Sequence, residues 1–448
     1  VSQRPEAGPP RPWKFPAFER RTVGGGRLIA AHLPGRPLAV TSLVFDAGAA
    51  LEPAGREGVA ELVARAFSEG TATHDAYEFG VAAERLGASW RASSDWDSLR
   101  LGLEVPVGEL AGATELMAEA VQTATFDDDV LTRVLDERID ELSLERSQPA
   151  ARGAEALAAA VFADGSRYDT PDGGDPSSLG RIKLDDIRDY RAARITRGTA
   201  TLIVAGDLES TDVDALGRLV FDGWDDAPAD ASPPVVAPRA SGRRVVLVDR
   251  PGSVQSLLLL GHDGPPRASD DFVPMTTMAM ILGGMFSSRL NLKLREEKGY
   301  AYGAFGGFDT RKHGGLFTAR ASVQTAVTAP ALADMISEIE RLHRDGVEPA
   351  ELDQAIAYRS GVFPISFAGV MAVAAGLGDI VVHGFADDHF DNLRRLVMAV
   401  DIEQANAAAA TRLRPDDLVT VVVGDAASCQ ADLEGAGLGP VTVVPDQQ

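Results

Sequence analysis

The sequence predicts an α+β protein made of two homologous αβ domains, each an antiparallel sheet packed with helices, that together form half of a clamshell chamber. Three observations carry this. TATLIVAGDL, with Gly206, returns as LVTVVVGDA, with Gly424, an offset of 218 residues. Leu101–Val105, ahead of one long helical stretch, corresponds to Thr318–Val323 ahead of another, and Gly87-Ala88 corresponds to Gly303-Ala304. Between the copies lies WDDAPADASPPVVAPRASG, Trp224–Gly242, whose prolines and small polar residues make a semi-extended linker. Repetition over so long a period means two copies of one folding unit, each of about 220 residues. The boundaries that follow are a Pro-rich arm over 1–17, a first domain over 18–222, a linker over 223–242 and a second domain over 243–448. Two such halves hinged at the linker face each other across a cleft, a common place for a ligand.

Taken in order, Val1–Pro16 holds five prolines among polar residues, which makes an arm that wraps the surface or stays mobile. The run from Arg27 to Phe45 reads as two strands joined by the Pro34-Gly35 turn. Gly55–Ser68 places Val59, Leu62, Val63, Ala66 and Phe67 on one helical face and Glu57, Glu61 and Arg65 on the other. A helix over Ala76–Leu86 and strands within Ala88–Val105 follow. Helical patterns then cover Leu110–Ala124, Asp128–Arg146 and Ala150–Phe162, and the domain closes in the strand that ends at Asp207.

Composition excludes several functional classes. The chain has 448 residues, 45% apolar and 24% charged, with 43 basic residues against 66 acidic ones and a net charge of -23. Such a surface repels phosphate backbones and anionic lipid, so no nucleic acid and no membrane is expected as partner. Cys429 is the one cysteine, which rules out an intrachain disulfide and a thiolate zinc cluster. No apolar run reaches the length of a membrane span, and the first residues lack an apolar core of a secretory signal, so the expected localisation is cytoplasmic.

The stretch around which the chain is organised is Gly283–Asp309. A helical pattern through Met285, Leu290 and Leu294 runs into an extended Gly-aromatic segment, Gly299–Gly303. This lets Arg295, at the helix end, converge with Tyr302 in the strand. A fixed guanidinium beside a phenolic hydroxyl suits an oxygen that gains negative charge in a transition state. On spacing alone, an exposed helix-end arginine and a half-buried tyrosine are the simpler account.

The residues PGSVQS at Pro251–Ser256, ILGGMFSSRLNLKLREEKGYAYG at Ile281–Gly303, the glycine-framed helix from Gly58 to Thr71 and the two closing strands ending in Gly-Asp resemble the pitrilysin/insulinase family of zinc peptidases. The likeness is to its short two-domain form, as in mitochondrial processing peptidase subunits, and spans about residues 18–440. The family carries an inverted His-x-x-Glu-His motif on the first domain's helix, in which two histidines bind zinc and the glutamate is general base. Those positions fall here on Glu61, Ala64 and Arg65, and the remaining acidic ligand falls near Glu141. The resemblance therefore implies no zinc in this chain, and Glu61 and Arg65, one turn apart, are expected to form an ion pair. His383 and His389 are six apart and do not make a helical metal pair, while His32, His74, His262, His313 and His343 are isolated in sequence.

The second domain's family element is intact. In relatives an arginine and a tyrosine seven residues later help hold the tetrahedral intermediate at the zinc, and the matching residues are Arg295 and Tyr302, with Tyr300 as competitor for the second role. The resemblance thus implies a non-catalytic subunit of a heterodimeric zinc metallopeptidase. A homologous partner bearing the His-x-x-Glu-His motif supplies zinc, and peptide or unfolded polypeptide is the substrate, recognised in part by addition to a sheet edge. The strand region Gly87–Val105 resembles the one beside the peptide in active relatives, with Trp90 and Trp96 read as core aromatics in preference to contact residues. Net acidity hints at basic peptides. The competing reading is an inactive homologue that serves as a scaffold or peptide-binding protein.

Overall fold

The computed structural model describes residues 11–224, 232–239 and 242–446; residues 1–10 of the arm and 225–231 and 240–241 of the linker lie outside the described residues. The first half builds one six-stranded sheet from β1 (Glu19–Val23), β2 (Gly26–His32), β3 (Leu38–Phe45), β4 (Ser89–Ser94), β5 (Leu99–Pro106) and β6 (Ala200–Gly206), in the order β1-β2-β6-β3-β5-β4. The second half repeats it with β7 (Arg244–Asp249), β8 (Gln255–Gly264), β9 (Ala301–Arg311), β10 (Gly314–Gln324), β11 (Val419–Gly424) and β12 (Val441–Pro445), in the order β12-β7-β11-β8-β10-β9. The repeated segments fall on equivalent strands, β6 with β11 and β5 with β10.

The sheets are mixed, not purely antiparallel. β2 runs parallel to β6, and β7 parallel to β11 and β12, while the remaining neighbours are antiparallel. The cause is the long helical excursion before each closing strand, which returns to insert between two earlier strands; a parallel neighbour needs such a crossover. In the first half α1 (Val59–Ala66) and α2 (Ala76–Arg85) lie between β3 and β4, the excursion is α3 (Leu110–Thr123), α4 (Asp128–Arg146), α5 (Pro149–Val161), α6 (Pro176–Leu179) and α7 (Leu184–Arg194), and α8 (Val213–Phe221) follows the last strand. In the second half α9 (Phe272–Ala279) and α10 (Arg289–Asn291) lie between β8 and β9, the excursion is α11 (Thr328–Asp345), α12 (Pro349–Ser366), α13 (Val370–His383), α14 (His389–Met398) and α15 (Ile402–Arg412), and α16 (Ala426–Gly435) follows β11.

Each half covers one face of its sheet with its own helices, Leu62, Val63 and Met117 in the first core and Leu290, Leu332 and Met335 in the second. The other faces are covered by exchange. Leu157, Val161 and Phe162 of α5 and the turn after it pack on Leu259, Val421 and Val423 of the second sheet. Their counterpart α13 lays Val373, Leu377 and Ile380 on Ile29, Val44 and Ile203 of the first. Gly153 makes the α5 contact possible, since a Cβ there would stand 2.4 Å from Leu259. The halves are thus interlocked by reciprocal helices, and the linker is one connection among several. The arm adds another: Phe15 donates its N–H to Asp391, Trp13 stacks on Phe367 and Arg394 donates to the Arg11 carbonyl, so the described part of the arm wraps the surface over α12–α14. Among the described residues no single helix is long and apolar enough to cross a membrane.

Candidate functional site

The segment that carries Arg295 is not a regular helix. After α9 the chain winds in wide π-type turns over Met280–Gly284, straightens into the short α10, and widens again over Leu292–Glu297. Such turns re-aim side chains and recur at functional sites. Two contacts fix the segment against β9 and a third ties it to α12. Gly283 lies so close to the strand that a Cβ would stand 2.2 Å from the Gly306 nitrogen. The buried Asn291 accepts the Ala304 N–H at 2.9 Å and donates to the Met285 carbonyl at 3.2 Å. Arg289 clamps Glu351 through two hydrogen bonds of 2.8 and 2.6 Å.

β9 in turn carries a bulge. Ala304 pairs with Ala321 and Ala301 with Val323, leaving Tyr302 and Gly303 opposite Ser322 alone. A bulge changes which way the following side chain points. Ala301 and Ala304 both face the core, and Tyr302 is turned out, 95% exposed. Tyr300 precedes the strand, donates its N–H to the Leu294 carbonyl at 2.8 Å and packs against the core, so it does not share the outward direction of Tyr302. Two residues apart, the tyrosines would share a face of one continuous strand; Tyr300 is instead held by Leu294 before β9 begins.

The structure brings the two sequence-chosen residues together. The Arg295 guanidinium carbon lies 5.8 Å from the centre of the Tyr302 ring. It lies closer still, 4.2 Å, to the ring of Phe286, a residue that the sequence reading passed over. Phe286 is 69% exposed and rests on the cation that it holds, a cation–π contact with no other structural duty. Its signal in the sequence is slight: an aromatic directly after Gly-Gly-Met, where an exposed position is otherwise polar. The carboxylate within ion-pair reach of Arg295, that of Glu296, stands 3.6 Å from its Nε and accepts no hydrogen bond from it, and the arginine side chain is 31% exposed.

The degenerate motif in α1 is arranged in the opposite way. Gly58, at φ 102°, opens the helix, and the buried Glu52 carboxylate accepts N–H groups from Gly58 and Ala60 there while pairing with Arg167. One turn on, Arg65 donates to Glu61 at 2.7 Å and reaches Glu141 at 2.8 Å, with Ala64 buried beneath. The expected Glu61–Arg65 pair is present, and the acid matched to the remaining zinc ligand closes it into a triad. Burial pulls the Arg65 pKa down, but the hydrogen bonds and charges of Glu61 and Glu141 outweigh it and raise the group above its ordinary value. These residues do not fit a zinc ion: a guanidinium that cannot ligate occupies the space between the two acidic donors, and Ala64 has no base. Among the described residues no three His, Cys, Asp or Glu side chains come together as a metal site.

The histidines serve as packing groups. His383 and His389 stack on either side of Phe385, and burial lowers the His389 pKa to about 4. His262 stacks on Phe317, and burial also takes it to about 4. His74 pairs with Glu119 and His32 accepts the Leu208 N–H. Trp90 meets Phe79 edge-on, and Trp96 meets Tyr168 edge-on between the guanidinium groups of Arg167 and Arg311, so both tryptophans pack the structure.

Comparison with known proteins gives this geometry a context. Two profiles of one family match in tandem, insulinase (peptidase family M16) over residues 27–172 and the peptidase M16 inactive domain over residues 181–358. The chain belongs to peptidase family M16. A Mycobacterium tuberculosis protein described as an uncharacterized zinc protease is 23% identical over 411 residues, which cover 90% of this chain and 93% of that protein. The Helicobacter pylori non-peptidase homolog YmxG is 22% identical over 334 residues, 73% of this chain and 76% of that one. The crystal structure of a peptidase M16 inactive domain from Pseudomonas fluorescens superposes with a TM-score of 0.84 at 23% identity, covering 91% of this chain and 98% of that chain, which shows a shared fold. Within the M16 family, then, this chain is an inactive homologue, with Glu61, Ala64 and Arg65 where the motif's ligands and base belong.

Proposed function

We propose that this M16 chain is the non-metal subunit of a two-subunit zinc endopeptidase. Arg295 and Tyr302 serve the peptide and its transition state, while a homologous partner with an intact His-x-x-Glu-His helix holds the zinc. The observation that carries this reading is the pairing of Arg295 with Tyr302. The phenol is exposed, and the guanidinium makes no hydrogen bond among the described residues, with the carboxylate of Glu296 3.6 Å away. The guanidinium and the phenol donate to an oxygen as it becomes an oxyanion, and because they are already oriented no reorganisation is needed at that moment. Phe286, Asn291 and the bulge are what keep them in place. The substrate is an extended or unfolded peptide, since a chamber closed by two such chains excludes folded proteins and an exposed strand edge offers main-chain pairing. The relatives include both a zinc protease and a non-peptidase homolog by name, which fits a division of labour within the family.

The test is to purify the chain, mix it with an M16 partner bearing the intact motif, and follow cleavage of an unstructured peptide. Activity that needs both chains supports the reading. Full activity of the partner alone, unchanged on adding this chain, contradicts it and leaves the scaffold or peptide-binding role.

A further inference from the structure

The open face of the second sheet carries a second arginine that is treated like Arg295. Arg320, in β10, is exposed and sits directly across the ladder from Phe305 of edge strand β9; its guanidinium carbon lies 5.5 Å from the Phe305 ring centre. Phe305 is itself 54% exposed. Arg320 has no ion pair and no side-chain hydrogen bond among the described residues, and the ring is its contact. Other arginines of the second half are matched to carboxylates, as Arg289 is to Glu351, Arg412 to Asp271 and Arg414 to Asp263. The acid on the facing strand β9, Asp309, is already taken by Arg311 through hydrogen bonds of 2.9 and 2.8 Å. The face is therefore locally cationic in a protein with a net charge of -23. Helix α5 covers the middle of this sheet and leaves the β9–β10 end open.

We propose that Phe305 and Arg320 form a side-chain subsite that selects an acidic residue, aspartate or glutamate, of an extended peptide. Phe305 supplies an apolar wall that also steadies the guanidinium, and Arg320 supplies paired donors in the geometry of a carboxylate. Across the bulge, Tyr302 and Phe305 stand opposite Ser322 and Arg320, two residues apart on β10, roughly 7 Å at the strand rise. The selected side chain thus lies a few residues from the carbonyl held by Arg295 and Tyr302. The distance to the reacting carbonyl rests on the function proposed above; the subsite itself does not. Its local charge also overrides the preference for basic peptides that net acidity suggests.

The experiment titrates the full chain with fluorescent, unstructured, C-terminally amidated peptides that differ at one central residue, glutamate or glutamine, and reads anisotropy. The glutamate peptide is expected to bind about tenfold more tightly, the strength of one charge-assisted hydrogen-bond pair on a surface. Arg320→Gln should bring that ratio close to one, Arg320→Lys should keep part of it, and Phe305→Leu should reduce it. A glutamine peptide with a free C-terminus separates sources of carboxylate: if it outbinds the amidated glutamate peptide, the side-chain assignment is overturned. No binding of the glutamate peptide, equal binding of the pair by the wild type, or an unchanged ratio in Arg320→Gln also overturns it. Because no partner and no cleavage are involved, failure here leaves the two-subunit reading standing, and failure of reconstituted cleavage leaves the subsite standing.

Discussion

The polar face of α1 and the start of β9 hold similar inventories of charge and use them in opposite ways. In α1 one cation, Arg65, is enclosed by two carboxylates, with Arg138 leaning on Glu141 from behind at 3.5 Å. At β9 the cation Arg295 lies against two exposed aromatic rings, with Glu296 3.6 Å away and no hydrogen bond among the described residues. The first arrangement is what two neighbouring carboxylates require when no metal neutralises them. The second confers little stability, because an aromatic contact at an exposed site contributes only about 0.5–1 kcal/mol. A cation kept free of hydrogen bonds on a scaffold as specific as the Gly283–Gly306 contact and the Asn291 clamp is best explained by what it binds.

The comparison can be broken most decisively at Arg295. In a reconstituted assembly Arg295→Ala should lower kcat by about a hundredfold, the usual effect of removing one oxyanion donor, with assembly unchanged by size-exclusion chromatography. Next comes the scaffold: Asn291→Ala leaves the Ala304 N–H buried without an acceptor and should lower stability by about 2 kcal/mol in denaturant unfolding, while also lowering turnover as Tyr302 moves. A smaller effect is expected at the closed site. Arg65→Met removes the cation from the triad, but Glu141 is about half exposed, and the loss should be about 1 kcal/mol after solvent screening. The smallest is zinc itself: added zinc should leave the Tm of the isolated chain where it was, whereas the double variant Glu61→His, Arg65→His, with two imidazoles one turn apart beside Glu141, should gain a zinc-dependent rise in Tm.

Much of this was legible in the residues. The 218-residue repeat announced two equivalent sheets, and the i, i+4 spacing of Glu61 and Arg65 announced their ion pair. Arg295 and Tyr302 were legible as a convergent pair because a helix end followed by an extended Gly-aromatic segment returns the chain on itself. What sequence did not carry were effects decided by tertiary packing. The exchange of α5 and α13 between sheets is invisible, since an apolar helical face does not say which sheet it covers. Tyr300 is held by the Leu294 carbonyl before β9 begins, and the bulge at Tyr302-Gly303 depends on how β9 is held against β10, so neither could be read from a period of two. Phe286 and Arg320 were missed because each matters through a side-chain contact, with Arg295 and with Phe305, that spacing does not announce.

The measurement that tests the central claim most directly is the single-turnover rate of peptide cleavage by the reconstituted pair, wild type against Arg295→Ala and Tyr302→Phe in this chain, with partner zinc content and complex formation held equal. A fall in the rate for both variants at unchanged affinity between subunits is the predicted result. A rate that stays at the wild-type value in both, or an isolated chain that cleaves peptide with no partner present, contradicts the account.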